Sequence, residues 1–274
     1  MTRKFRLLAG ASILCSAVLA APLGQAFAET AHSEPADGHA TSALHWSYDG
    51  EADGPAAWGI IPAPEGDGMA YPVCGTGDGQ SPIDLFATNA VGQISLETDY
   101  VAGALVLKPN SHTIEVTAPA GSSLTIGAVK YNLFQVHFHT PSEHVFNGEA
   151  YPMEAHFVHQ NPATKQLAVL GVLFKTGDSN DQLEKILRKK GADDYDGQIG
   201  HMTFDPNALL PKEIRVLRYD GSLTTPPCSE GVNWNVAVDP IEASEDEIIV
   251  FKQYMGANAR PAQVLNARPL VKPE

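Results

Sequence analysis

Apolar and β-branched residues in the middle of the chain form short runs that Gly, Pro and Asn interrupt, a pattern typical of strands. The runs predicted as strands are 104–108, 113–117, 123–126, 131–140, 154–159 and 167–175. Helical patterns are few: 181–190, with Gly191 behind it, and 244–254, where Ser244 and Glu247 have the spacing of a capping box. The pattern therefore predicts a mainly β protein.

The first 28 residues have the layout of an export signal. Basic residues precede an apolar run over residues 7–19, and Ala26-Phe27-Ala28 has the small-x-small pattern of a cleavage site. The run is shorter than the ~20 residues that a membrane-spanning helix needs. We therefore expect cleavage after Ala28, no membrane anchor, and a periplasmic or secreted protein.

Charge narrows the classes of partner. The signal contains three basic residues and no acidic ones, so its removal takes the net charge from −14 to −17. A strongly acidic protein repels nucleic acid phosphates and anionic membrane surfaces, and we expect neither as a partner. Residues 29–44 contain almost nothing to bury and are predicted to be a flexible tail.

Cys74 and Cys228 remain as an even pair after Cys15 leaves with the signal. In an oxidising compartment such a pair predicts a disulfide. Two separate buried thiols are the alternative.

Histidines on the longest predicted strand suggest a metal site. The alternation over 135–139 places Gln135, His137 and His139 on one face of a strand. Two imidazoles at positions i and i+2 can converge on zinc. His-x-His alone is weak support, since it also occurs in binuclear hydrolases and by chance.

The predicted strand over 153–159 offers a third ligand if it pairs antiparallel with the first. Parity puts His156 and Glu154 on one face and leaves His159 on the other, as a hydrogen-bonded core histidine. Gln135 and Glu154 then lie where acceptors fix the tautomers of metal-bound imidazoles. Three neutral ligands leave one coordination position open, which is the arrangement of catalytic zinc.

Five separated motifs resemble those of alpha carbonic anhydrases and occur in the same order. They are Gln80-Ser-Pro-Ile-Asp84, Gln135-x-His-Phe-His139, Ser142-Glu-His144, Glu154-x-His156 and Gly221-Ser-Leu-Thr-Thr-Pro-Pro227. The resemblance runs from His45 to Gln263. It implies one domain over 45–274, built on a large, mostly antiparallel central β-sheet with a few short peripheral helices. Cys74 and Cys228 also resemble the disulfide positions of secreted bacterial members.

The resemblance implies a lyase that binds Zn²⁺ through His137, His139 and His156. It would interconvert carbon dioxide and bicarbonate reversibly, releasing a proton in the hydration direction, by attack of zinc-bound hydroxide. Thr224 would accept a hydrogen bond from the hydroxide, and Glu143 would accept one from Thr224.

Further positions follow from the same resemblance. His112 matches the proton shuttle, and Tyr48 and Asn110 match residues that hold the water chain leading to it. The substrate pocket would be formed by Val158, Val169, Leu223, Thr225, Val232 and Trp234. Three positions depart from the family pattern: Glu115 replaces a neutral amide, and Gln160 and Ala259 replace tryptophans. Glu115 is expected to affect anion inhibition or the surroundings of the shuttle.

Other functions compete with this hypothesis. A catalytically inactive carbonic-anhydrase-like binding module would normally lack one of the three histidines, and this chain keeps all three. A periplasmic zinc-binding protein is suggested by His32, His39 and His45, whose spacing has no ligand logic. A zinc peptidase is disfavoured because the chain has no His-Glu-x-x-His. We expect a monomer or homodimer acting on a small molecule.

Overall fold

The computed structural model describes residues 45–86, 92, 95–191 and 202–272. The predicted signal, 1–28, and the predicted tail, 29–44, lie outside the described residues. The described residues belong to one compact unit. Within the described part of the chain, no helix has the length and apolar character needed to cross a membrane.

Most of the regular structure is β. The described residues contain fifteen strands: β1 Asp84–Leu85, β2 Leu96–Asp99, β3 Gly103–Ala104, β4 Leu107–Lys108, β5 Glu115–Thr117, β6 Ser123–Ile126, β7 Val129–His139, β8 Val145–Phe146, β9 Glu149–Ala150, β10 Met153–Gln160, β11 Leu167–Thr176, β12 Thr203–Phe204, β13 Val216–Ser222, β14 Glu230–Ala237 and β15 Ile241–Ala243. The helices are α1 Val73–Thr76, α2 Asp181–Gly191 and α3 Glu245–Met255, with 3-10 turns at Trp58–Ile60 and Pro206–Leu209.

One ten-stranded sheet organises the molecule. Its main order is β13-β14-β11-β10-β7-β5-β4, with β15 beside β11 and β6 joining β2 to β7. The pairs are antiparallel except for those of β11 with β14 and β15, which are parallel. The predicted mainly β fold with a mostly antiparallel central sheet and few helices is confirmed.

The two faces of the central strands pack against different surroundings. Val136 and Phe138 of β7 and Phe157 of β10 are buried in the main core, which α2 and α3 cover with residues such as Ile186 and Phe251. The capping box of Ser244 and Glu247 starts α3, as predicted. The opposite face holds a second apolar cluster and the three candidate ligands.

Two parts of the sheet differ from the sequence prediction. The run 104–108 is two strands, because β3 pairs with β12 while β4 pairs with β5. Strands β13 and β14 were missed, since Asp220, Gly221 and Asn233 interrupt their apolar pattern with turn-forming residues. Both strands nevertheless lie at one end of the central sheet.

Candidate metal centre

The three candidate ligands meet because β7 and β10 pair antiparallel, as the sequence predicts. His156 lies directly opposite His137, and Glu154 lies opposite His139. Cross-strand partners project to the same side of a sheet. One nitrogen from each of the three imidazoles therefore lies within 4.8 Å of the other two.

A second contact fixes each imidazole and determines which nitrogen is free. An amide, main-chain or carboxylate oxygen can only accept here, so the ring nitrogen facing it carries the proton. The contacts are His137 Nδ1 to Gln135 Oε1 at 2.8 Å, His139 Nδ1 to Asn258 O at 2.7 Å, and His156 Nε2 to Glu154 Oε1 at 2.9 Å. The free nitrogens are therefore Nε2 of His137 and His139 and Nδ1 of His156.

Two orphaned atoms show that a metal ion fits this site. His139 Nε2 and Glu143 Oε2 are buried, and neither has a hydrogen-bond partner among the described residues. They lie 3.5 Å apart. A buried lone pair without a partner is costly, and a cation shared with the other two imidazoles would remove that cost. The donor set suits ions that prefer imidazole nitrogen.

The electrostatics of the three ligands differ. Burial lowers the pKa of His137 well below its usual value, and the neighbouring imidazoles lower it further. Burial also lowers the pKa of His139. For His156 burial acts in the same direction, but the charge and hydrogen bond of Glu154 outweigh it and the pKa is raised. His156 thus attracts a positive charge, which a proton or a metal ion can supply.

Glu154 is held ionised by four donors. Its Oε2 accepts from the main-chain N–H groups of Glu143 and His144, both at 2.9 Å. Its Oε1 accepts from His156 and from His144 Nδ1, the latter at 2.7 Å. Burial raises the pKa of Glu154, but His144 and His156 outweigh burial and leave it well below its usual value. The contact with His144, which bridges Glu154 to Tyr219, was not predicted.

Glu143 is anchored at one oxygen only. Its Oε1 accepts from the main-chain N–H of Arg260 at 2.9 Å. Thr224 is buried in the loop that follows β13. No described residue, Thr224 included, donates a hydrogen bond to Glu143 Oε2 in this structure. The relay from Thr224 to Glu143 therefore stays a prediction.

A cleft of about 210 Å³ opens beside the ligands. Ten residues line it: Trp46, Tyr48, Asn110, His112, Thr113, Glu115, Gln135, His137, His139 and Thr225. The structure thus brings the predicted shuttle, both predicted water-network residues and Thr225 to one space with two ligands. Their roles are not tested by this placement.

Aromatic and amide contacts hold the candidate shuttle. The ring of His112 stacks on Trp46 with centroids 3.8 Å apart, and its main-chain N–H donates to Asn110 Oδ1 at 2.9 Å. Partial burial lowers the pKa of His112, and His45 lowers it further. Burial raises the pKa of Tyr48, with a further contribution from Glu143.

Five of the six predicted pocket residues, all except Thr225, form one apolar cluster. Val158, Val169, Val232 and Trp234 are buried together, and Leu223 packs against them. The Trp234 ring centroid lies 4.9 Å from that of His156. The cluster adjoins the third ligand, but its five members are not among the described residues that line the cleft, so their contact with substrate stays a prediction.

Cys74 and Cys228 form the predicted disulfide, with Cα atoms 5.0 Å apart, which excludes two free thiols. The buried Arg260 guanidinium lies beside it and donates to Cys74 O at 3.0 Å. Sequence reasoning assigned no role to Arg260 or Asn258. Both reach the site through main-chain atoms, N–H to Glu143 and C=O to His139, and residue type gives no signal for such contacts.

Comparisons with known proteins agree with this geometry. A family profile described as eukaryotic-type carbonic anhydrase matches residues 53–273. A carbonic anhydrase of Neisseria gonorrhoeae is 37% identical over 247 residues, which are 89% of this chain and 92% of that protein.

Two solved structures are similar as well. The alpha-carbonic anhydrase of Thermovibrio ammonificans, in complex with the inhibitor sulfanilamide, has a TM-score of 0.75 and 41% identity and covers 84% of this chain and 100% of its own. That of Photobacterium profundum has a TM-score of 0.71 and 37% identity, over 83% of this chain and 100% of its own. With the profile spanning most of the sequence and the histidine cluster in place, the chain belongs to the eukaryotic-type, or alpha, carbonic anhydrase family.

Proposed function

We propose that this protein catalyses the zinc-dependent, reversible hydration of carbon dioxide to bicarbonate and a proton. The observation that carries the proposal is the set of three imidazoles, each held by a second contact and each with one nitrogen within 4.8 Å of a nitrogen of the other two. Three neutral ligands leave a fourth position for a reacting molecule. A zinc ion there would supply Lewis acidity that makes a coordinated water acidic near neutral pH, an effect established for carbonic anhydrases as a class.

Glu143 and Thr224 would orient the attacking oxygen. Arg260 N–H holds one oxygen of Glu143 and leaves Oε2 as a buried acceptor. A threonine hydroxyl that donates to this oxygen can only accept from the nucleophile. The nucleophile's remaining lone pair is then directed at the carbon of the substrate.

The apolar cluster beside His156 would receive carbon dioxide. A neutral, nonpolar molecule binds to a dry face, and Val158, Val232 and Trp234 supply one next to the third ligand. The hydration step leaves one proton to be exported in each turnover. His112 lines the cleft beside His137 and His139 and is only partly buried, so it can pass a proton to buffer.

Stopped-flow carbon dioxide hydration, measured with metal content on the same sample, tests the proposal. We expect about one zinc per chain, loss of activity with a chelator, and recovery when zinc is added back. A fully zinc-loaded protein without hydration activity would instead identify a binding module. A zinc content far below one per chain in active protein would contradict the ligand set.

We also propose export to the periplasm or the exterior. The disulfide supports this location, since disulfides persist in oxidising compartments. Protein from the periplasmic fraction should start near Glu29 and gain two hydrogens in intact mass on reduction. A mass that retains residues 1–28 would contradict the proposal.

A further inference from the structure

Glu115 occupies a position one strand away from a metal ligand. It starts β5, where it pairs with Lys108 of β4 on one side and with His137 of β7 on the other. His137 pairs in turn with His156. Because cross-strand partners share a face, Lys108, Glu115, His137 and His156 form a row across the sheet, with about 4.8 Å between neighbouring strands.

The charges of Lys108 and Glu115 lie in different surroundings. The Glu115 side chain lines the cleft and is only 8% exposed, whereas that of Lys108 is 56% exposed. Glu115 Oε1 lies 3.2 Å from Lys108 Nζ, and Oε2 accepts from Asn110 Nδ2 at 3.1 Å. Water screens the ammonium more than the carboxylate, so the cation cancels only part of the field that Glu115 produces in the cleft.

Glu115 is the single acidic side chain among the ten described residues that line the cleft. Glu143 and Glu154 are also near the ligands, but neither is among the described residues that line the cleft, and both accept from main-chain N–H groups. A fixed negative charge affects bicarbonate and carbon dioxide differently. It repels an anion, and it exerts no such force on a neutral molecule.

We propose that Glu115 is a specificity-determining residue that weakens the binding of anions, product bicarbonate included, at the metal centre. The inference rests on the proposed function, since it assumes that anions bind where the three histidines meet. An anion there lies about two strand spacings, roughly 9 Å, from the carboxylate. An effective dielectric constant of about 40, twice the value usual near a protein surface, allows for the partial cancellation by Lys108, and the repulsion then weakens binding about fivefold.

Calorimetric titration of zinc-loaded protein with azide and with bicarbonate tests the proposal. Glu115→Gln keeps an acceptor for Asn110 and removes the charge, so both dissociation constants should fall about fivefold. Lys108→Gln removes the counter-charge, so they should rise. Glu97→Gln, at an exposed position of β2, changes the net charge by the same unit and should leave both dissociation constants unchanged. Neutral imidazole, titrated at pH 8.5, should bind wild type and Glu115→Gln equally.

Three results would overturn the proposal: unchanged azide binding in Glu115→Gln, tighter azide binding in Lys108→Gln, or an imidazole affinity that changes together with the azide affinity in Glu115→Gln. The last of these results would mean that the substitution disturbs the whole site, since the loss of one charge should not change the affinity for a neutral ligand. Wild-type hydration activity is measured alongside. Active protein with no azide difference defeats only the inference, whereas inactive protein with the fivefold difference defeats only the proposed reaction.

Discussion

Two histidines on β10 show how differently the same residue type behaves within one strand. His156 and His159 are three residues apart, both are buried, and they project to opposite faces. His156 Nε2 donates to the Glu154 carboxylate at 2.9 Å. His159 Nδ1 donates to Ala168 O at 3.2 Å, and its Nε2 accepts from Tyr100 OH at 2.9 Å.

Both histidines are buried, so the difference between their pKa values comes from their hydrogen-bond partners. Burial lowers the pKa of His159 to about 3, since its neutral partners offset little of the desolvation. At His156 the carboxylate reverses the effect of burial and raises the pKa. His159 also uses both nitrogens inside the core, whereas His156 keeps Nδ1 free. One is suited to fill space, and the other to hold a cation.

The largest expected loss of activity comes from a substitution at one of these two histidines and not at the other. His156→Ala should lose most of its zinc and reduce carbon dioxide hydration roughly a thousandfold or more, because the reaction depends on the metal. His159→Gln should keep about one zinc per chain and most of the activity. Metal analysis and stopped-flow assays on both variants make the comparison. Equal zinc content in the two variants would show that the faces of β10 do not divide the roles in this way.

A smaller effect is expected when zinc stays bound and only the orientation of the attacking oxygen is lost. Thr224→Ala should keep zinc and lower hydration roughly a hundredfold, the loss typical of one oriented transition-state contact. Thr224→Ser retains a hydroxyl and is the matched control, which should recover most of the rate. If Thr224→Ala has wild-type activity, another group orients the attacking oxygen.

A third variant separates proton export from the metal chemistry. His112→Ala should lower maximal turnover in dilute buffer about tenfold, less than a lost general base usually costs, since buffer and water carry part of the protons. Zinc content and the exchange of carbon dioxide with bicarbonate at equilibrium should stay unchanged. Added imidazole should restore much of the loss, because a diffusing base can replace a shuttle but not a ligand. Failure of that rescue would assign His112 to the rim of the cleft alone.

The sequence predicted the candidate ligand side chains better than the main-chain contacts that hold the metal centre in place. Strand parity alone places His137 with His139 on one face of β7 and separates His156 from His159 on β10, because the period of a strand leaves no choice once the strand is recognised. The main-chain contacts of Asn258 and Arg260 could not be predicted, since every residue has a C=O and every residue except proline has an N–H. Their positions depend on how a distant segment folds back across more than a hundred residues.

The same distinction applies to the sheet. Strand β11 is a nearly unbroken apolar run and was predicted within one residue of its ends. Strand β14 was missed because its identity as a strand depends on parallel pairing with β11, and Asn233 and Asn235 hide it from a hydrophobic pattern. Tertiary partners override local propensity in such strands.

The smallest effect concerns acid stability and His159. Its pKa of about 3 in the folded protein lies below the usual 6.5, so the unfolded chain binds more protons between these values. The contribution to stability is complete above about pH 6.5 and is lost progressively as pH falls towards 3. Between pH 7 and pH 5.5 this linkage lowers the free energy of unfolding by about 1 kcal/mol.

His159→Gln cannot titrate at this position, so urea unfolding with chelator present should show a smaller loss of unfolding free energy over that interval than wild type. Other groups cancel in the difference between the two proteins, whatever the variant costs at pH 7. Parallel pH profiles would mean that His159 binds a proton equally in both states, and the contrast with His156 would then have no electrostatic basis.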